Sequence, residues 1–167
     1  MQKEQEHIFV KKLEKHQNIV HKICTFYTNN PDDHNDLFQE ITIQLWRAYP
    51  SFRGDSKFST WMYRVALNTA ITLYRKSKRR VKAQDYDNIS FKIEYEDYDP
   101  TADKQVKLLY EAVKQLNSID KAIVFLYLED KSFEEIASTL GISNVNARVR
   151  MSRIRDRLKR IVNPYTV

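Results

Sequence analysis

Two glycines and one cysteine are all that 167 residues contain of either type, and each shortage removes a class of function. So little glycine leaves no Gly-rich phosphate loop and no G-x-G-x-x-G dinucleotide turn. It also leaves few residues suited to tight hairpins. Cys24 alone excludes an internal disulfide framework and a multi-cysteine zinc site; inside an apolar helical stretch it reads as a packed thiol. No HExxH occurs, and His16 and His21 are poorly spaced to share a helical face. No apolar run approaches ~18 residues and no signal peptide is evident, so a soluble, cytoplasmic protein is expected. No catalytic residue, metal site, cofactor or small-molecule substrate is expected.

What is present is charge and hydrophobic pattern. Hydrophobic residues make up 42% and charged residues 30%, which suits a helical protein with wet faces. Residues 1–80 hold 14 Lys+Arg against 8 Asp+Glu, residues 81–103 hold 2 against 7, and residues 104–167 hold 12 against 7. The chain is therefore a basic block, an acidic connector and a second basic block. Two separated basic surfaces suit a long polyanion such as nucleic acid, although basic helix faces are also often merely solvated.

The pattern predicts an all-α protein of two small helical domains, 1–80 and 104–167, joined by an acidic flexible linker, 81–103. Helices are expected over 3–28, 33–48 and 57–80. The second places Leu37, Ile41, Leu45 and Ala48 on one stripe; the third places Phe58, Trp61, Val65, Thr69 and Leu73 on one stripe. Five basic residues fall between Arg75 and Arg80, more than a helix C-terminus needs. In the second block, helices are expected over 104–116 and 119–129. Ser132-Phe133-Glu134-Glu135 fits a capping box, and the short helix it opens ends at Gly141.

Ser132 to Arg160 reads as a helix-turn-helix. Ala137 is small where two helices cross, and Gly141 tolerates a left-handed turn. The last helix, about 144–161, carries Ala147, Met151, Ile154, Leu158 and Ile161 on its apolar stripe. Its opposite face carries Val145, Asn146, Arg148, Val149, Ser152 and Arg153. Arg can bind a guanine edge and Asn an adenine edge in the major groove.

The two blocks together resemble an extracytoplasmic-function sigma factor, over about 15–162. Asp33-His34-Asn35-Asp36-Leu37-Phe38-Gln39-Glu40 with Leu45-Trp46 is similar to the family pattern D-A-E-D-L-x-Q-E…L-W, departing at His34 and Asn35. The resemblance implies that this helix docks on the β′ clamp helices of core RNA polymerase through Asp36, Leu37, Gln39, Glu40 and Trp46. Phe58 to Asn68, reaching Arg75, is similar to F-x-T-W-x-Y-x-x-A-x-N…R, which opens and holds the −10 promoter element; Thr72 stands where Asp is frequent. Gly141-Ile142-Ser143 through Arg155 is similar to the −35 reading segment, with Asn146, Ala147 and Arg148 replacing the usual Thr, Val and Lys. Further implied partners are the polymerase β flap, promoter DNA and an anti-sigma factor, often membrane-bound in the family.

The chemistry of promoter opening agrees with this resemblance. Unstacked bases need aromatic platforms, and their phosphates need cations. The candidate −10 contacts are Phe52 and Lys57 on the 50–57 loop, then Tyr63, Arg64, Asn68, Arg75, Lys76 and Arg79. Tyr63, Arg64 and Asn68 are expected to fall off the buried stripe. Two other readings stay open at this point. One is a stand-alone helix-turn-helix regulator, which leaves the first block unexplained. The other is a metal-dependent hydrolase built on Asp32, Asp33, His34, Asp36 and Glu40, which lacks a second ligand cluster.

Overall fold

The computed structural model describes residues 1–83 and 104–162. The order is α1 (Gln2–Tyr27), α2 (Pro31–Ala48), a 3-10 turn (Tyr49–Ser51), α3 (Phe58–Ala83), α4 (Lys104–Lys114), α5 (Ser118–Leu128), α6 (Phe133–Leu140) and α7 (Asn144–Val162). No strand occurs among the described residues. The chain divides into two compact units, Met1–Asp85 and Tyr86–Val167. The acidic linker lies outside the described residues, except that α3 runs on to Ala83 and so takes its first three positions.

In the first unit, α1, α2 and α3 each pack against the other two. Their shared core is Val20, Ile23 and Cys24 from α1, Leu37, Ile41 and Leu45 from α2, and Met62, Ala66, Leu67 and Ala70 from α3. Burial pushes the Cys24 thiol up to about 12, so it stays protonated and unreactive. The start of α2 is fixed by Asn30, whose side chain accepts from the Asp33 N–H at 2.8 Å, with Pro31 at the first helical position. Helix α2 therefore begins two residues before the expected 33. It ends at Ala48, where Pro50 interrupts the hydrogen-bond ladder.

The expected α3 stripe needs correction. Phe58, Trp61, Val65, Thr69 and Leu73 are only half-buried; the core face is Met62, Tyr63, Ala66, Leu67, Ala70 and Ile71. One residue further along a helix is a rotation of 100°. The face with two alanines wins because small residues let helix axes approach closely. The bulkier ridge is left to the rim.

In the second unit, α7 packs on α4, α5 and α6. Helix α5 buries Ala122, Ile123, Val124, Phe125 and Leu126 in succession, so it is the central helix. Both halves of the capping box form: the Glu135 N–H donates to Ser132 Oγ at 3.1 Å, and the Ser132 N–H donates to Glu135 Oε2 at 2.8 Å. Gly141 ends α6 at φ +69°, a left-handed conformation that side chains resist. The Ser143 hydroxyl then accepts from the Asn146 N–H at 3.0 Å and caps the start of α7.

Candidate nucleic-acid interface

The α6–turn–α7 pair has the helix-turn-helix geometry that the sequence predicts. Ala147, Met151 and Ile154 are buried, which turns Val145, Asn146, Arg148, Val149, Ser152 and Arg153 outward, all of them exposed. Val145 is 71% exposed. An apolar side chain so bare on a polar helix suits contact with a thymine methyl.

The arginines of α7 are not equivalent. Arg148 Nε donates to Asn144 Oδ1 at 2.6 Å, and its guanidinium lies 5.0 Å from the Phe133 ring at the start of α6. Arg150 Nη1 donates to Asp120 Oδ1 at 3.1 Å, and Arg150 Nε to Asn146 Oδ1 at 3.3 Å. Arg155 Nη2 donates to the Tyr127 hydroxyl at 2.6 Å, with the guanidinium 5.0 Å from the same ring. Arg150 and Arg155 thus brace α7 against α5, a role not legible from residues some thirty positions apart. Arg148 holds the junction of the two motif helices while remaining exposed.

In the first unit, Arg64, Asn68, Arg75, Lys76 and Arg79 are all exposed along α3, and Lys57 is exposed just before it. From Arg64 to Arg79 they form a polar and basic edge along α3, with Lys57 ahead of it, a shape that can track a strand's phosphates. Tyr63 corrects the expectation: it is 6% exposed and belongs to the core face. Phe52 is half-buried in a ring cluster, 5.2 Å from Trp61 and 5.7 Å from Phe58 between centroids. The ring cluster and the basic edge therefore belong to the same unit.

The exposed face of α2 is a third surface. Asp36, Gln39, Ile43 and Trp46 recur at steps of three, four and three and are all exposed. Glu40 is half-buried and accepts from Gln44 Nε2 at 3.0 Å. Leu37 is corrected from contact residue to core, at 7% exposure; it points to the opposite side from Gln39. Ile43, 44% exposed, takes its place as the apolar member of the face. The sequence reading missed it because isoleucine between Ile41 and Leu45 looks like core.

The acids proposed for a hydrolase do not assemble. Asp33 is engaged by the Asn30 side chain at 2.8 Å, and His34 Nε2 lies 3.1 Å from His21 Nδ1. Among the described residues, no group of three or more His, Cys, Asp or Glu is placed to hold a metal ion, and no helix is long and apolar enough to cross a membrane.

Comparison with known proteins gives the family. The Sigma-70 region 2 profile matches residues 13–80, and the Sigma-70 region 4 profile matches residues 107–158. The ECF RNA polymerase sigma-E factor of Haemophilus influenzae is 28% identical over 163 residues, covering 91% of this chain and 86% of its own length. The sigma-E factor of Escherichia coli K12 is 33% identical over 144 residues, covering 77% and 73%. Among solved structures, the sigma factor RpoE bound to the anti-sigma factor NepR from Bartonella quintana superposes with a TM-score of 0.75 at 19% identity, covering 95% of this chain and 98% of that one. CnrH bound to the cytosolic domain of CnrY gives 0.66 at 17%, covering 96% and 91%; at these identities the likeness is one of fold. With both regions present in order and a sigma-E relative 33% identical over most of its length, the chain belongs to the extracytoplasmic-function sigma factors, which direct bacterial RNA polymerase to its promoters.

Proposed function

We propose that the three surfaces divide the work of initiation. The first unit, within 1–80, docks on the β′ clamp helices of core polymerase through Asp36, Gln39, Ile43 and Trp46, with Glu40 at the edge. The same unit captures the opened −10 strand with Phe52, Lys57, Arg64, Asn68, Arg75, Lys76 and Arg79. The second unit, within 104–167, meets the β flap and reads the −35 element with Val145, Asn146, Arg148, Val149, Ser152 and Arg153. Residues 81–103 act as the acidic connector. The protein is not an enzyme, uses no cofactor or small-molecule substrate, and works in the cytoplasm, where polymerase is.

The observation that carries the reading is the outward face of α7, six exposed residues backed by Ala147, Met151 and Ile154. A bare solvated helix has no need of two valines on that face, and a regulator acting alone has no need of the α2 face. Control by an anti-sigma factor is supported by the two similar structures, whose proteins were each captured with a partner, NepR or CnrY. The test is reconstitution with core polymerase. Co-elution in gel filtration and initiation at one promoter class are expected; absence of co-elution sinks the reading.

A further inference from the structure

The Lys12 ammonium sits among three rings. Its Nζ lies 5.8 Å from the Tyr49 centroid and 5.5 Å from those of Phe52 and Phe58. The rings also touch one another, Tyr49 to Phe52 at 6.3 Å, Phe52 to Phe58 at 5.7 Å and Tyr49 to Phe58 at 6.4 Å. Trp61 backs two of them, 5.2 Å from Phe52 and 5.3 Å from Phe58. Lys12, Tyr49, Phe52 and Phe58 are all half-buried, so this box lies at the surface. A cation over several ring faces is attracted to each quadrupole, more strongly where water is partly excluded.

The box draws on four stretches of the first unit. Lys12 comes from α1, Tyr49 from the 3-10 turn, Phe52 from the irregular stretch before α3, and Phe58 from the first turn of α3. That stretch turns through Gly54 at φ +78°. At its start the Phe52 N–H donates to the Tyr49 carbonyl at 3.0 Å, and at its end the Lys57 carbonyl accepts from the Trp61 N–H at 3.1 Å. Lys12 also precedes residues 13–80, the span of the region 2 match.

We propose that Lys12 is a positioning residue for strand capture: its ammonium closes the aromatic box and holds Phe52 and the 52–57 loop in place before an unstacked base arrives. This rests on the reading of Phe52 and Lys57 as −10 contacts. A loop held in advance loses less freedom on binding, which raises affinity without a new contact. The action is on ring position, so Lys12 need not touch a phosphate.

Two variants test it. Lys12→Met keeps the length and removes the charge; Lys12→Arg keeps a cation over the rings. In the free full-length chain, Lys12→Met should raise amide exchange of residues 52–57 about two- to fivefold. The core amides of α1–α3 should be unchanged, and Lys12→Arg should restore the loop. Unchanged loop exchange overturns the box. The holoenzyme is then titrated with a single-stranded oligonucleotide carrying the −10 element of a promoter found by transcript sequencing. Affinity should fall by a similar factor at an unchanged salt slope. A slope smaller by ~0.7 marks a lost phosphate contact and overturns the positioning role. Faster exchange without loss of affinity overturns any part in capture. Wild-type holoenzyme that ignores the oligonucleotide overturns the −10 reading itself.

Discussion

Arg150 and Asp120 form an ion pair across thirty residues of sequence, Nη1 to Oδ1 at 3.1 Å. The other carboxylate oxygen, Oδ2, accepts from Asn117 Nδ2 at 3.0 Å, and Asn117 caps α5 through the Asp120 N–H at 2.9 Å. One side chain thus fixes both the start of α5 and the orientation of α7. Asp120→Ala and Arg150→Ala should each cost about 1 kcal/mol, or about 4–8 °C in the melting of the second unit. The double variant should cost less than the sum. Additive losses in thermal melts would show that the pair does not couple.

Base reading and phosphate holding should separate along α7. Arg153→Ala should cost about 1–3 kcal/mol on the cognate −35 duplex and relax specificity at one position. Arg157→Ala, further from the end that enters a groove, should weaken all sequences alike and lower the salt slope by ~0.9. Competition binding against scrambled −35 DNA decides between them, and equal losses on both duplexes for Arg153→Ala would remove its reading role.

On α2, two apolar residues should give opposite phenotypes. Ile43→Asp should abolish co-elution with core polymerase while the circular dichroism melt stays within a few degrees of wild type. Leu37→Ala empties a core position and should cost about 2–5 kcal/mol of stability. If Leu37→Ala melts normally and fails to bind polymerase, the two residues have been assigned to the wrong faces.

The same α2 surroundings show why helices were more legible than faces. The starts of α2, α5, α6 and α7 follow from Asn30, Asn117, Ser132 and Ser143, residues whose capping chemistry is local. The face of α3 does not, because two apolar ridges run side by side and only packing chooses between them. Ala66 and Ala70 chose the ridge that aromatic bulk argued against, and Tyr63 went inward with them. Lys12, Arg150 and Arg155 carry no sign of their partners in the sequence; each looks like any solvated cation on a helix. The outward face of α7 was legible because its apolar and polar sides alternate cleanly.

Acid should loosen the α1–α2 contact. Burial, and then the neighbouring His21 charge, hold the His34 imidazole below its ordinary 6.5. The unfolded chain therefore takes up a proton at a pH where folded His34 does not. Its contribution to stability is present above the unfolded value of 6.5 and is lost as pH falls on through the lower folded value. The rings stand in line, Nδ1 to Nε2 at 3.1 Å with centroids 5.4 Å apart, so the bond needs one neutral nitrogen as acceptor. His34→Gln should show a smaller drop in Tm between about pH 7.5 and about pH 5.5 than wild type. Equal drops would place the acid sensitivity elsewhere.

Tyr74 of α3 still meets Tyr27 of α1, 5.7 Å between centroids, and the helix then continues to Ala83, an arm of about 14 Å at 1.5 Å per residue. Along it, Arg75 and Arg79, and Lys76 and Arg80, are like charges one turn apart, and such pairs oppose the helix. Added salt screens that repulsion and stiffens the arm. The same salt weakens any hold the arm has on a nucleic-acid backbone. Ionic strength therefore acts on this cantilever with opposite signs, and a polyanion does locally what salt does in bulk: it neutralises the arm and lets it stay straight.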